Sequence, residues 1–197
     1  MSVAPAPPLL LASTSPQRRA ILEQLGLPFE VVAPRYREHD PPDADPVRLV
    51  REHARGKARS VLEEADGRPV LGVDTTVVCA GRVFGKAGGP EEAAEMLEAL
   101  SGKTHEVVSG LCLVTPAWEE LHHDVTQVAF RPLNARDIAG YLASGEWQNR
   151  AGAYAIQGLG ARLVERIDGD YLNVVGLPAA LLIRLLASRF GGTYGVG

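Results

Sequence analysis

Leu9-Leu10-Leu11-Ala12-Ser13-Thr14-Ser15-Pro16-Gln17-Arg18-Arg19 passes from an apolar strand through small hydroxyl residues into a proline-started helix carrying two arginines. Ser15 suits a helix N-cap, and Pro16 suits the first helical position, where its missing N–H costs nothing. The helix then begins with free backbone donors and its positive dipole end, and Arg18 or Arg19 adds a guanidinium close by. The segment therefore fits a seat for phosphate. It also fits an ordinary strand-to-helix turn with solvated arginines.

The same alternation continues outward from this stretch. Residues 16 to 26 read as a helix closed by Gly26, and Phe29 to Val32 as a short strand. Pro34 to Pro46 is polar and proline-punctuated, hence a loop, and Asp45-Pro46 repeats the Ser15-Pro16 helix start, with a helix expected to about Glu64. Val70 to Ala80 is a β-branched strand that turns at Ala80-Gly81-Arg82 into a short return strand. A helix follows over Pro90 to Leu100, then two long strands, His105 to Thr115 and Leu121 to Pro132, and a helix capped by Asn134. Strands are expected at Gly152 to Gln157 and Arg162 to Ile167, and a last helix at Pro178 to Phe190. Strands and helices so mixed, without regular alternation, predict an α/β fold around a mixed, twisted central sheet flanked by helices.

The chain has 197 residues, 46% of them hydrophobic, enough for one substantial core or one fold with two lobes. We expect a single domain over residues 9–190, with a flexible leader at 1–8 and a flexible tail at 191–197. The formal charge of −4 gives no general attraction to nucleic acid or anionic membranes, so an anionic ligand must be held by a local cluster of cations. No apolar run approaches the roughly 20 residues of a membrane span, and the proline- and alanine-rich start lacks the features of a signal peptide. Cys79 and Cys112 have no metal-ligand or CxxC spacing, which suits a reduced, cytoplasmic protein.

Several residues stand in unexpected company. Asp74 lies in the middle of Leu71-Gly72-Val73-Asp74-Thr75-Thr76-Val77-Val78, where a carboxylate is costly unless paired or bound. Such acids concentrate at active sites, although neighbouring N–H groups or Thr75 and Thr76 could also satisfy it. Lys57 falls on the same helical stripe as Val47, Val50, Ala54 and Val61, which directs it coreward unless it snorkels to water. Lys86 sits in the glycine-rich Phe84-Gly85-Lys86-Ala87-Gly88-Gly89, which lacks the P-loop pattern. Gln157, in Gly152-Ala153-Tyr154-Ala155-Ile156-Gln157-Gly158, carries an amide able to read a base edge. Glu38 is an acidic loop residue, either solvated or a metal ligand. The histidines make no convincing site, and there is no nucleophile elbow.

Taken in order, Ala12 to Arg18, Gly72-Val73-Asp74-Thr75, Gly85-Lys86, Ser101 to Val107, Ala151 to Gly158 and Gly176-Leu177-Pro178 resemble the Maf family over nearly the whole chain. The resemblance implies a nucleoside triphosphate pyrophosphatase that uses Mg2+ or Mn2+, with an elongated, two-lobed domain and the active-site cleft between its lobes. It implies substrate-binding roles for Ser13, Ser15, Gln17, Arg18, Thr75 and Gln157, catalytic roles for Asp74, Lys57 and Lys86, and metal binding by Glu38 and Asp74. A homodimer is implied by the resemblance alone.

Gln17 departs from the pattern, standing where the family carries the first of two arginines. That leaves one cation fewer at the phosphate seat unless Arg19 compensates. The Gly-Ala-Tyr-x-Ile-Gln form of the late motif is similar to the branch that prefers dTTP and UTP. The alternative reading is a nucleotide-binding regulator of cell division with weak or no catalysis.

Overall fold

The structure, a computed structural model, describes residues 6–41 and 44–196. The leader expected at 1–8 therefore lies, for residues 1–5, outside the described residues. The apolar run forms β1 (Leu9–Ala12), and α1 (Pro16–Gln24) follows behind Ser15, whose side chain accepts a hydrogen bond from the Arg18 amide. Gly26, at φ 65°, ends this helix in the left-handed conformation that glycine adopts without a Cβ penalty. After β2 (Phe29–Val32), Asp45 caps α2 (Pro46–Arg59) by accepting from the Arg48 amide. This helix is shorter than expected. Ser60 donates its hydroxyl back to the Lys57 carbonyl at 2.8 Å, and a 3-10 turn at Leu62–Ala65 takes the place of the last helical turn.

Strands β3 (Val70–Cys79) and β4 (Arg82–Phe84) form a hairpin around Ala80 and Gly81, both at positive φ, as a tight two-residue turn requires. Then come α3 (Pro90–Leu100), β5 (Thr104–Val114), β6 (Glu119–Phe130) and α4 (Ala135–Leu142), the last opened by a capping box between Asn134 and Asp137. Strand β7 (Val164–Asp168), the short α5 (Tyr171–Val175) and α6 (Ala179–Phe190) complete the order. The strand expected at Gly152 to Gln157 does not form. Gly152 and Ala153 both have positive φ, 68° and 55°, which breaks the extended backbone a ladder needs.

The sheet is open and mixed, in the order β2-β1-β3-β5-β6-β7, with β4 paired to β3. Strand β1 runs parallel to both β2 and β3, whereas the β3/β4 and β6/β7 pairs are antiparallel. The α/β expectation with a mixed sheet is borne out. The chain divides into two compact units. The first comprises Met1–Asp74, Ser109–Asp124 and Gly176–Gly197, and the second Thr75–Val108 and Val125–Val175.

In the first unit, Leu10, Ala12, Val70 and Cys112 pack with Ala54, Ala58 and Val61. Helix α2 lies unusually close to the strands here. A Cβ on Gly72 would come within 2.1 Å of the Ala54 carbonyl oxygen, and one on Gly110 within 2.1 Å of that of Val50. At the end of the chain, expected to be flexible, Gly191–Tyr194 forms a 3-10 turn in which Tyr194 is buried and donates to the Pro7 carbonyl at 2.8 Å. In the second unit, Phe84, Met96, Leu97 and Leu100 pack with Phe130 and Tyr154, whose rings meet edge-on at 4.8 Å.

Candidate active site

Helix α2 carries its buried residues on one stripe, Leu49, Val50, His53, Ala54, Lys57 and Ala58, so Lys57 faces inward as its spacing predicts. It does not snorkel to water, being only 8% exposed. Its ammonium donates to Asp74 Oδ1 at 2.6 Å and pairs with Glu38 Oε1 at 2.5 Å. The close approach at Gly72 explains the first contact. Ala54 stands over Gly72, so Lys57, one turn later, arrives beside Asp74, two residues further along β3. The paired ammonium stabilises a carboxylate that would otherwise be costly in an apolar strand.

The opening segment supplies the second cation. Arg18 Nε donates to the Gly176 carbonyl at 2.9 Å, and Nη1 donates to Ser13 Oγ at 3.3 Å. Burial draws the guanidinium down from its ordinary value, and the charges of Asp74 and Glu38 oppose that fall. Ser13 Oγ also accepts from the Ser15 amide at 3.2 Å, while the Ser15 hydroxyl donates to Gln17 Oε1 at 3.1 Å. The predicted residues Ser13, Ser15, Gln17 and Arg18 thus form one linked group. Arg19 does not belong to it, because its side chain is exposed and pairs with Glu23. Gly176, of the Gly176-Leu177-Pro178 motif, supplies the carbonyl that fixes Arg18.

Thr75, Lys86 and Gln157 belong to the second unit. Lys86 is exposed, and its backbone bridges antiparallel to Ala151; the Gly152 amide donates to the carbonyls of Phe84 and Gly85. The glycine-rich loop and the segment leading to Gln157 are therefore fastened together. Gln157 is exposed at the start of a 3-10 turn, Gly158–Arg162. Glu146 accepts from the amides of Leu159 and Gly160 and fixes that turn. Upstream, Tyr154 is buried with its hydroxyl 2.8 Å from His105 Nε2, and the Ala155 amide donates to the Tyr141 hydroxyl.

Chemically, the first unit gathers two cations, Arg18 and Lys57, with two carboxylates, Glu38 and Asp74, which pair with Lys57 and act electrostatically on Arg18. Glu38 and Asp74 meet at one point, the Lys57 ammonium, so their oxygens already converge on a positive charge. Among the described residues, no third histidine, cysteine or acid joins them as a metal-binding group. Two hard oxygen donors suit a divalent ion such as Mg2+, which characteristically takes one or two carboxylates and completes its shell with water and substrate phosphates.

Among the described residues, no helix is long and apolar enough to cross a membrane. A sequence model of the family described as Maf-like protein matches residues 8–189. A protein of Gloeobacter violaceus named dTTP/UTP pyrophosphatase is 46% identical, over 91% of this chain and 94% of its own. Proteins of the same name from Deinococcus radiodurans and Moorella thermoacetica are 42% and 48% identical, over 97% and 91% of this chain and 97% and 93% of theirs.

Proposed function

The chain belongs to the Maf-like protein family, and from that premise we propose that it hydrolyses dTTP and UTP to the monophosphate and pyrophosphate. The observation that carries the reading is the Lys57 ammonium held between Asp74 and Glu38, beside the helix that bears Arg18. The two cations and two carboxylates nearly balance, so a triphosphate needs further positive charge here. Glu38 and Asp74 are the residues to hold a divalent Mg2+ or Mn2+. Such an ion would supply that charge and polarise phosphate oxygen.

Water attacks the α-phosphorus, and the bond to the oxygen bridging the α- and β-phosphates breaks. The leaving group is pyrophosphate. Asp74, whose Oδ1 is engaged by Lys57, has one oxygen left, which serves either as a ligand to the ion or as the acceptor of a proton from the attacking water, and either role needs the carboxylate charge. Arg18, fixed by Ser13 and Gly176, neutralises phosphate charge together with Lys57. Ser13, Ser15, Gln17 and the N-terminus of α1 add hydrogen bonds. For Lys86, Thr75 and Gln157 the assignment rests on side-chain chemistry: an ammonium for phosphate, and a hydroxyl and an amide for the base edge. The free, buried Cys79 and Cys112 suit the reduced environment of the cytoplasm.

Pyrophosphate release measured over dTTP, UTP, CTP and GTP, with Mg2+ or Mn2+, tests the proposal. Turnover should favour dTTP and UTP, and Asp74→Asn should lower it at least about 100-fold. Near-normal turnover in Asp74→Asn would sink the mechanism. Nucleotide binding without turnover in the unmodified protein would favour a regulator instead.

A further inference from the structure

The loop bearing Glu38 is polar and largely exposed, yet Glu38 reaches a buried ammonium. The residues two before and two after Glu38 both end on one side chain. Tyr36 Oη lies 3.0 Å from His53 Nδ1, and His53 Nε2 lies 2.7 Å from Asp40 Oδ1. An ionised carboxylate can only accept, so Nε2 carries a proton; in the neutral imidazole the Tyr36 hydroxyl then donates to Nδ1. His53 is 3% exposed and lies on α2 one turn before Lys57, on the same face. Gly56 completes the arrangement. A Cβ there would come within 2.3 Å of the Tyr36 ring, so the ring lies against the helix backbone.

We infer that His53 is a positioning residue: by joining Tyr36 to Asp40 it latches the Glu38 loop onto α2 and sets the Glu38 carboxylate at Lys57. A loop free to sample many conformations would lose entropy each time Glu38 engaged. The latch removes most of that cost before substrate arrives. The inference rests on the assignment of Glu38 to the active site.

The test compares Tyr36→Phe and His53→Leu in two backgrounds, unmodified and Glu38→Gln. The readouts are kcat/KM for dTTP with Mg2+, thermal unfolding, and amide exchange over residues 36–41. Tyr36→Phe keeps the ring on Gly56 and should fold normally. It should lower kcat/KM about tenfold, the lower end of what outer partners of a site contribute, and hasten amide exchange in the loop. In Glu38→Gln the same change should have little further effect, because the residue being positioned is already disabled. Equal losses in both backgrounds, or no loss in the unmodified one, overturn the latch. If Glu38→Gln alone is fully active, the assignment of Glu38 fails and the latch fails with it.

Discussion

Arg18 is held through two different nitrogens, Nε to a backbone carbonyl and Nη1 to a serine hydroxyl, so its guanidinium plane is fixed before any phosphate arrives. Lysine has a single nitrogen and cannot reproduce both contacts from one position. Arg18→Lys should therefore lower kcat/KM by about 10- to 100-fold, as expected for a lost charge-assisted bond, while the unfolding temperature changes little. Unchanged steady-state kinetics would remove Arg18 from the phosphate seat. Their place behind the same cap does not separate Arg18 from Arg19, and only the family resemblance singles out Arg18. In the structure Arg18 is held by Ser13 and Gly176, whereas Arg19 is exposed and pairs with Glu23. Lys57 was legible as coreward from its stripe, but its two partners were not, since Glu38 and Asp74 lie on other elements. His53 occupies the same stripe, 50-53-54-57, and that spacing was the signal that could have found it.

At the scale of elements, the site depends on how closely a helix can approach a sheet. Gly72 and Gly110 give α2 its seat, since added side-chain atoms would meet helix backbone rather than a flexible side chain. Backbone cannot yield by changing rotamer, so Gly72→Ala must move the helix. Overpacking of this kind costs about 1–3 kcal/mol, and here it also withdraws Lys57 from Asp74. The urea midpoint and kcat/KM should both fall, and wild-type values for both would mean that α2 is not seated by Gly72. Most element positions were legible from caps and periodicity, among them the starts at Ser15-Pro16 and Asp45-Pro46. The segment Gly152 to Gln157 was not. Its composition suits a strand, and nothing local to it announces positive φ at Ala153 or the contacts of Tyr154 and Ala155 with His105 and Tyr141.

For the whole molecule, the response to acid follows from a histidine far in sequence from the proposed chemistry. His105 is buried, with Tyr154 at Nε2, and among the described residues Nδ1 meets no hydrogen-bond partner. Protonation would bury a charge and add an N–H at Nδ1 without an acceptor, and burial pushes its pKa down from 6.5 to about 4. The native state thus keeps His105 neutral where the unfolded chain takes up a proton. Its contribution to stability is complete above pH 6.5, declines as pH falls from 6.5 to 4, and changes no further below that. By linkage the loss amounts to about 3 kcal/mol. The window differs from that of Asp137, which Arg131 and the Asn134 amide hold down at about 2, so that its share is lost only between 3.8 and 2. Urea unfolding followed from pH 7.5 to 4 should show a steady fall in stability below pH 6.5. His105→Gln, which keeps a polar group beside Tyr154 but does not titrate, should be less stable at pH 7 and show a much shallower fall over that window. An unchanged slope in that variant would place the acid sensitivity elsewhere in the chain.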